Sequence, residues 1–271
     1  VQPAPKAGAC AVPPERGIDQ EREWVRRTFS AQYNAVAGTV SRVMSESPGL
    51  RGASRGAAAE ALTDLVAVRL YLAGDSAEVD AAVRGATVGP HVPLARCIAS
   101  GLRRLPSYRG AALLRARLGA AERAWYREGR LVTEWAFCTA YADPYPATGN
   151  ADFLVWSVTG RRTALLDPAA PGRVVFLPGT VFKVLRTEDG GRPLLLLREL
   201  APAEAAQEPG GAARVPLDDI ALEGLERAAE LLRADGGDAP GSSDGAGPGP
   251  GAPPGLLTAT SDGRAHKGAK P

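Results

Sequence analysis

Apolar residues recur at three- and four-residue spacing from Asp19 onward. Phe29, Tyr33, Val36, Val40 and Val43 fall on one face of a helix. Asp19 stands at its expected N-cap, Glu21 and Glu23 lie in its first turn, and Pro48-Gly49 closes it. The spacing predicts a second helix from Arg55 to Ala73, with Leu62, Leu65, Val66, Arg69 and Leu72 along a stripe and Gly74-Asp75 as its stop. A short third helix covers Ala77 to Arg84. A fourth begins at Pro93, a favourable first helical position, and turns Leu94, Cys97, Ile98 and Leu102 inward.

After Pro106 the pattern becomes that of strands. Candidates are Tyr108 to Leu114, Leu131 to Tyr141, Phe153 to Val158, Val174 to Leu177, Val181 to Arg186 and Leu194 to Arg198; a helix-like stretch from Ala120 to Arg127 interrupts them. Glu188-Asp189-Gly190-Gly191 joins the last two strands as a hairpin turn. A final helix runs from Leu217 to Leu232. The expected layout is a linker over 1–18 and one domain over 19–234. That domain divides into a helical layer (19–105), a β core (106–200) and a C-terminal helix (217–232). Residues 235–271, dominated by Gly, Pro, Ser and Asp, are expected to be a disordered tail.

Composition narrows the function classes. The chain has 271 residues, enough for a sizeable core, and a net charge of +2 with no basic run, which argues against nucleic acid. Only Lys6, Lys183, Lys267 and Lys270 are lysines among 32 basic residues; that arginine bias, with abundant Ala and Gly, points to a GC-rich bacterial genome. The single methionine, Met44, makes Val1 an unexpected start, so a segment of a longer protein is expected. No stretch of about 18 apolar residues offers a membrane span, and a cytoplasmic location is expected. Cys10, Cys97 and Cys138 are odd in number and far apart; free buried thiols are the expectation, with one bridged pair as the alternative. With His91 and His266 alone, histidine catalysis and His-rich metal sites are excluded, and no metal is expected.

One order of motifs carries a functional reading. Tyr108-Arg109-Gly110 is followed by Phe137-Cys138-Thr139-Ala140, then FLVWSVTGRR from Phe153, then VVFLPGTVFKVL from Val174. This order resembles the mono-ADP-ribosyltransferases of the arginine, serine, glutamate type over roughly residues 55–200. The resemblance implies an α+β fold, with an N-terminal helical layer packed on a two-sheet, mainly antiparallel β core. It implies NAD as cofactor, with Arg109, Gly110 and Thr139 as its binding residues. A guanidinium binds phosphate oxygens bidentately, a neighbouring glycine admits close backbone approach, and a threonine hydroxyl braces the site as serine does. If Thr139 faces the cleft, Trp135, Phe137 and Tyr141 share its face, while Glu134 and Cys138 point away and Glu134 is a poor catalytic candidate. Trp125, Trp135 and Trp156 are read as core residues.

The pattern departs from the family at its third motif. Members carry a catalytic glutamate directly before the apolar strand that leads to the P-G-T turn, and a polar residue two positions earlier; here Arg173 and Pro171 stand there. A carboxylate about 4 Å from a developing unit charge, at an effective dielectric near 20, is worth roughly 4 kcal/mol, on the order of a thousandfold in rate. An arginine removes that stabilisation and adds repulsion. Asp167 is the best substitute acid, ahead of Asp152 and Glu128. The expected function is a non-catalytic module of this fold, serving regulation or protein interaction within a larger bacterial protein. The alternatives are a divergent active ADP-ribosyltransferase and an unrelated α+β binding domain.

Overall fold

A computed structural model of the chain describes residues 16–256, apart from 53, 75, 88, 144–147, 208–213 and 236–250. Five helices come first: α1 (Asp19–Thr28), α2 (Ser30–Glu46), α3 (Arg55–Ala73), α4 (Ser76–Arg84) and α5 (His91–Arg104). The single helix expected over 19–47 breaks at Phe29, whose ψ of 29° leaves the helical range. The break lets the Phe29 ring meet Trp24 edge-on at 5.8 Å, a gain that periodicity alone does not register. Ser54 caps α3 by accepting the Ala57 N–H. α3 buries Leu65, Val66, Ala67, Val68 and Tyr71, more than one stripe, because helices pack against it from several sides.

Small residues let α3 and α5 approach. A Cβ at Gly101 would sit 2.4 Å from the Asp64 carbonyl oxygen, so only glycine fits there. The contact is stitched by charge: Arg22 of α1 donates to both carboxylate oxygens of Asp64, at 2.9 and 2.8 Å, and Ser100 Oγ donates to the same carboxylate at 2.7 Å. Ile18, expected within the linker, is buried in this helical core.

The strands are β1 (Gly110–Ala116), β2 (Leu131–Glu134), β3 (Cys138–Tyr141), β4 (Ala151–Ser157), β5 (Arg161–Arg162), β6 (Arg173–Phe176), β7 (Thr180–Glu188) and β8 (Leu194–Glu199). The remaining helices are α6 (Ala120–Trp125), α7 (Pro202–Gln207) and α8 (Pro216–Asp235). The strands form one hydrogen-bonded order, β2-β7-β8-β4-β1-β3-β6-β5, with β4–β8 the parallel pairing. Two halves of this order are joined through a single register pair, Leu113↔Tyr141. They nevertheless pack face to face. Ala112, Leu114, Phe153 and Val184 of one half share a core with Cys138, Ala140, Val174 and Phe176 of the other, so the expected two-layer packing coexists with a continuous ladder.

The expected strand over Leu131–Tyr141 is two strands, because the chain changes sheet halves between Glu134 and Cys138. β2 pairs with β7 while β3 pairs with β6. The Glu134 carboxylate accepts the Ala136 N–H at 2.7 Å and holds that turn. α8 covers the outer face of β1, β4 and β8, with Leu222 and Leu225 against Leu113, Leu154 and Leu196. Trp156 packs there and Trp125 packs against the sandwich core. Cys97 and Cys138 are free and buried; Cys10 lies outside the described residues. Among the described residues no helix is long and apolar enough to cross a membrane.

The tail differs from expectation at one place. Gly251–Leu256 lies against the domain, with Leu256 only 2% exposed, because its leucine and its backbone polar groups both find partners there. The rest of 236–271 and residues 1–15 lie outside the described residues.

Candidate functional site

Tyr108-Arg109-Gly110 leads directly into β1. The Tyr108 ring is buried, its hydroxyl donates to the Ala111 carbonyl at 2.7 Å, and the Arg162 guanidinium lies 4.7 Å above it. Gly110 has φ 138°, in the region that favours glycine, and a Cβ there would meet the Tyr108 hydroxyl at 3.2 Å. The glycine therefore serves the fold of the loop as well as any close ligand. Arg109 is exposed, and among the described residues no hydrogen bond or ion pair holds it. Arg161 stands close by, its Nη1 donating to the Leu105 carbonyl and to Ser107 Oγ; burial, with Arg103 repelling it, lowers its pKa.

Thr139 pairs with Val175 across β3 and β6, and Val175 points into the helical core. The Thr139 side chain therefore faces the helices, together with Phe137, while Cys138 faces the sandwich core as the alternation predicts. The Thr139 hydroxyl is one of the groups that act on the Tyr71 hydroxyl of α3. The Tyr71 hydroxyl also donates to Asp80 of α4 at 3.1 Å, and its ring packs on Phe137 with centroids 5.2 Å apart. The Phe137 backbone N–H acts on Asp80 and favours its charged form. Four positions along α4, Arg84 donates Nε to Glu134 at 3.0 Å. Glu134 is fully buried and accepts from Ala136 and Gly255 as well. A buried polar chain thus pins the Phe-x-Thr segment from below, and Glu134 works in it as a structural acid.

Sequence reasoning missed Tyr71, Asp80 and Arg84. The available sign was the Asp80/Arg84 pair at i, i+4 on a short helix, a spacing common on solvated faces. Burial pushes the Asp80 carboxyl up to about 8, against the opposing pull of Arg84 and Tyr71. An unfolded aspartate titrates near 4, so folding retains a proton between about pH 4 and 8 and stability drains as pH rises through that window. Asp80→Asn is therefore expected to match the parent chain near pH 4 and to exceed its melting temperature by several degrees at pH 8. Thermal melts across pH check this; a difference independent of pH contradicts it.

Arg173 opens β6, opposite Tyr141. Its Nη1 lies 3.0 Å from Asp167 Oδ2 and donates to the Leu72 carbonyl at 3.3 Å, near the C-terminal end of α3. Arg69 approaches the other Asp167 oxygen at 3.8 Å. Asp167, considered above as a substitute acid, is 8% exposed and neutralised by these arginines. Asp152 pairs with Arg115 at 3.1 Å, and Glu128 lines a small pocket with Lys183 and Asp218. Neither joins Thr139. Among the described residues no His/Cys/Asp/Glu cluster could hold a metal.

Among the described residues the exposed Arg109 guanidinium has no partner, and Arg173 is held by Asp167 and the Leu72 carbonyl. No family model matches the sequence, and no curated protein matches it. Solved structures do. The type III effector XopAI from Xanthomonas axonopodis pv. citri superposes with a TM-score of 0.56 at 22% identity, over 68% of this chain and 84% of that one. ADP-ribosyltransferase HopU1 of Pseudomonas syringae pv. tomato DC3000 gives 0.57 at 15% identity, over 67% and 98%. Exoenzyme S from Pseudomonas aeruginosa, solved with human 14-3-3 protein beta and Carba-NAD, gives 0.51 at 14%, over 74% and 96%. With the strand order and two packed sheet halves already in place, these likenesses establish that the chain has the mono-ADP-ribosyltransferase fold.

Proposed function

We propose that this chain is a non-catalytic module of the ADP-ribosyltransferase fold, serving protein interaction or regulation within a larger bacterial protein. One observation supports the reading: Arg173, which the motif resemblance aligns with the family's glutamate, is tied to Asp167 and to the Leu72 carbonyl, a strut between sheet and helix. A cation fixed there opposes the oxocarbenium charge that NAD cleavage develops. Arg109 remains available for a phosphate, so NAD binding without turnover is compatible with this role. Incubation of the chain with NAD, followed by intact-mass analysis, is expected to show no added ADP-ribose; a modified chain or acceptor contradicts the proposal.

A second reading, a divergent active transferase, is favoured by Asp80. It is a buried acid of the helical layer that accepts from the Tyr71 hydroxyl and whose burial pushes its carboxyl up to about 8, in the range of general acids. ADP-ribose transfer that Asp80→Asn abolishes, with the fold intact by circular dichroism, would select it.

A further inference from the structure

The tail segment Gly251–Leu256 touches the domain in the manner of a bound peptide. Its polar anchors are backbone groups read by side chains of the domain: the Tyr126 hydroxyl donates to the Pro254 carbonyl at 2.5 Å, and the Gly255 N–H donates to Glu134 Oε2 at 2.9 Å. Gly251 adds a backbone bond to the Arg115 carbonyl at 2.8 Å, beside the end of β1. Leu256 fills a place in the sandwich core. Gly255 is specified twice, since its φ is 72° and a Cβ would lie 2.3 Å from Val132 Cγ1.

Two features separate this from an ordinary piece of core. After Asp235 the only large apolar residues are Leu256 and Leu257, and among the described tail residues the short stretch Gly251–Leu256 supplies the attachment. The domain side is built to receive a ligand. Without the tail, the buried Glu134 carboxylate loses a donor and the Tyr126 hydroxyl loses its acceptor, leaving a cleft that asks for one N–H and one carbonyl in a tight turn.

We propose that the groove between Tyr126 and Val132 is a recognition site for a Pro-Pro-Gly-Leu turn, filled in cis by the chain's own tail and exchangeable without unfolding of the domain. The site stands whether or not NAD is turned over. Its occupant reaches the Phe-x-Thr segment through Glu134, which also holds the Ala136 N–H.

The test uses the full chain with a protease site inserted between residues 240 and 246. After cleavage the domain is expected to keep its circular dichroism spectrum. A labelled synthetic peptide spanning residues 248–260 is expected to displace the severed tail in native buffer, read by fluorescence anisotropy. The same peptide with Gly255→Ala is expected to bind at least about tenfold more weakly, the usual consequence of an overpacked contact. A domain that unfolds on cleavage, exchange that requires denaturant, a folded domain that takes up no peptide, or equal affinity for the two peptides would each overturn the proposal.

Discussion

Glu134→Ala is expected to cost about 3–5 kcal/mol of stability, the range for breaking a buried ion pair from one side. Glu134 is fully buried and Arg84 nearly so, and their contact is 3.0 Å. Burial pushes the Glu134 carboxyl upward, and Arg84 with the Ala136 and Gly255 N–H groups pulls it back. Removing the acid strands a guanidinium and two backbone donors at once, and it loosens both the tail and the turn between β2 and β3. The double variant Glu134→Ala/Arg84→Met removes the stranded charge and is expected to recover part of the loss. Urea denaturation measures both; a loss below about 1 kcal/mol in the single variant contradicts the assignment.

Asp64→Ala is expected to be of similar size, about 3–5 kcal/mol, by the same physics in the helical layer. Asp64 is inaccessible to solvent, holds Arg22 by two charge-assisted bonds and accepts from Ser100. The hydrogen bonds that Arg22 donates to Asp64 hold its guanidinium above its ordinary pKa. Ser100→Ala removes one neutral donor from a carboxylate that keeps its arginine, so it is expected to cost only about 1 kcal/mol. Thermal and urea melts of the two variants should rank them in that order, and equal losses would show that the ion pair is not what joins α1 to α3.

The helical layer was legible because apolar spacing and stop signals are local. The α3 boundaries, Arg55 and Ala73, follow from spacing and from Gly74, and the inward set Leu94, Cys97, Ile98 and Leu102 of α5 is buried as predicted. The strands were legible one by one, yet the break at 135–137 was not. Glu134 reads as a solvated strand acid unless its partner Arg84, fifty positions earlier, is known. The tail was misread for the related reason that composition averages over a long stretch, while Pro253–Leu256 is specified by a few contacts. At the candidate site, the motif order named Thr139 and Arg173, and the pairing of β3 with β6 that puts them on one face is seen only in the structure. Tyr71 and Asp80 come from helices outside every motif, so only the packing of α3 and α4 on β3 brings them to Thr139.

The proposed loss of NAD chemistry rests on Arg173, which the motif resemblance aligns with the family's glutamate and which Asp167 and the Leu72 carbonyl hold. Release of nicotinamide from NAD by the purified full chain, followed by chromatography against a protein-free control, tests it most directly, because every ADP-ribosyl transfer or hydrolysis must break that glycosidic bond. The expected rate is indistinguishable from the control and unchanged in Arg109→Ala. Nicotinamide release that scales with chain concentration and falls in Arg109→Ala would contradict it.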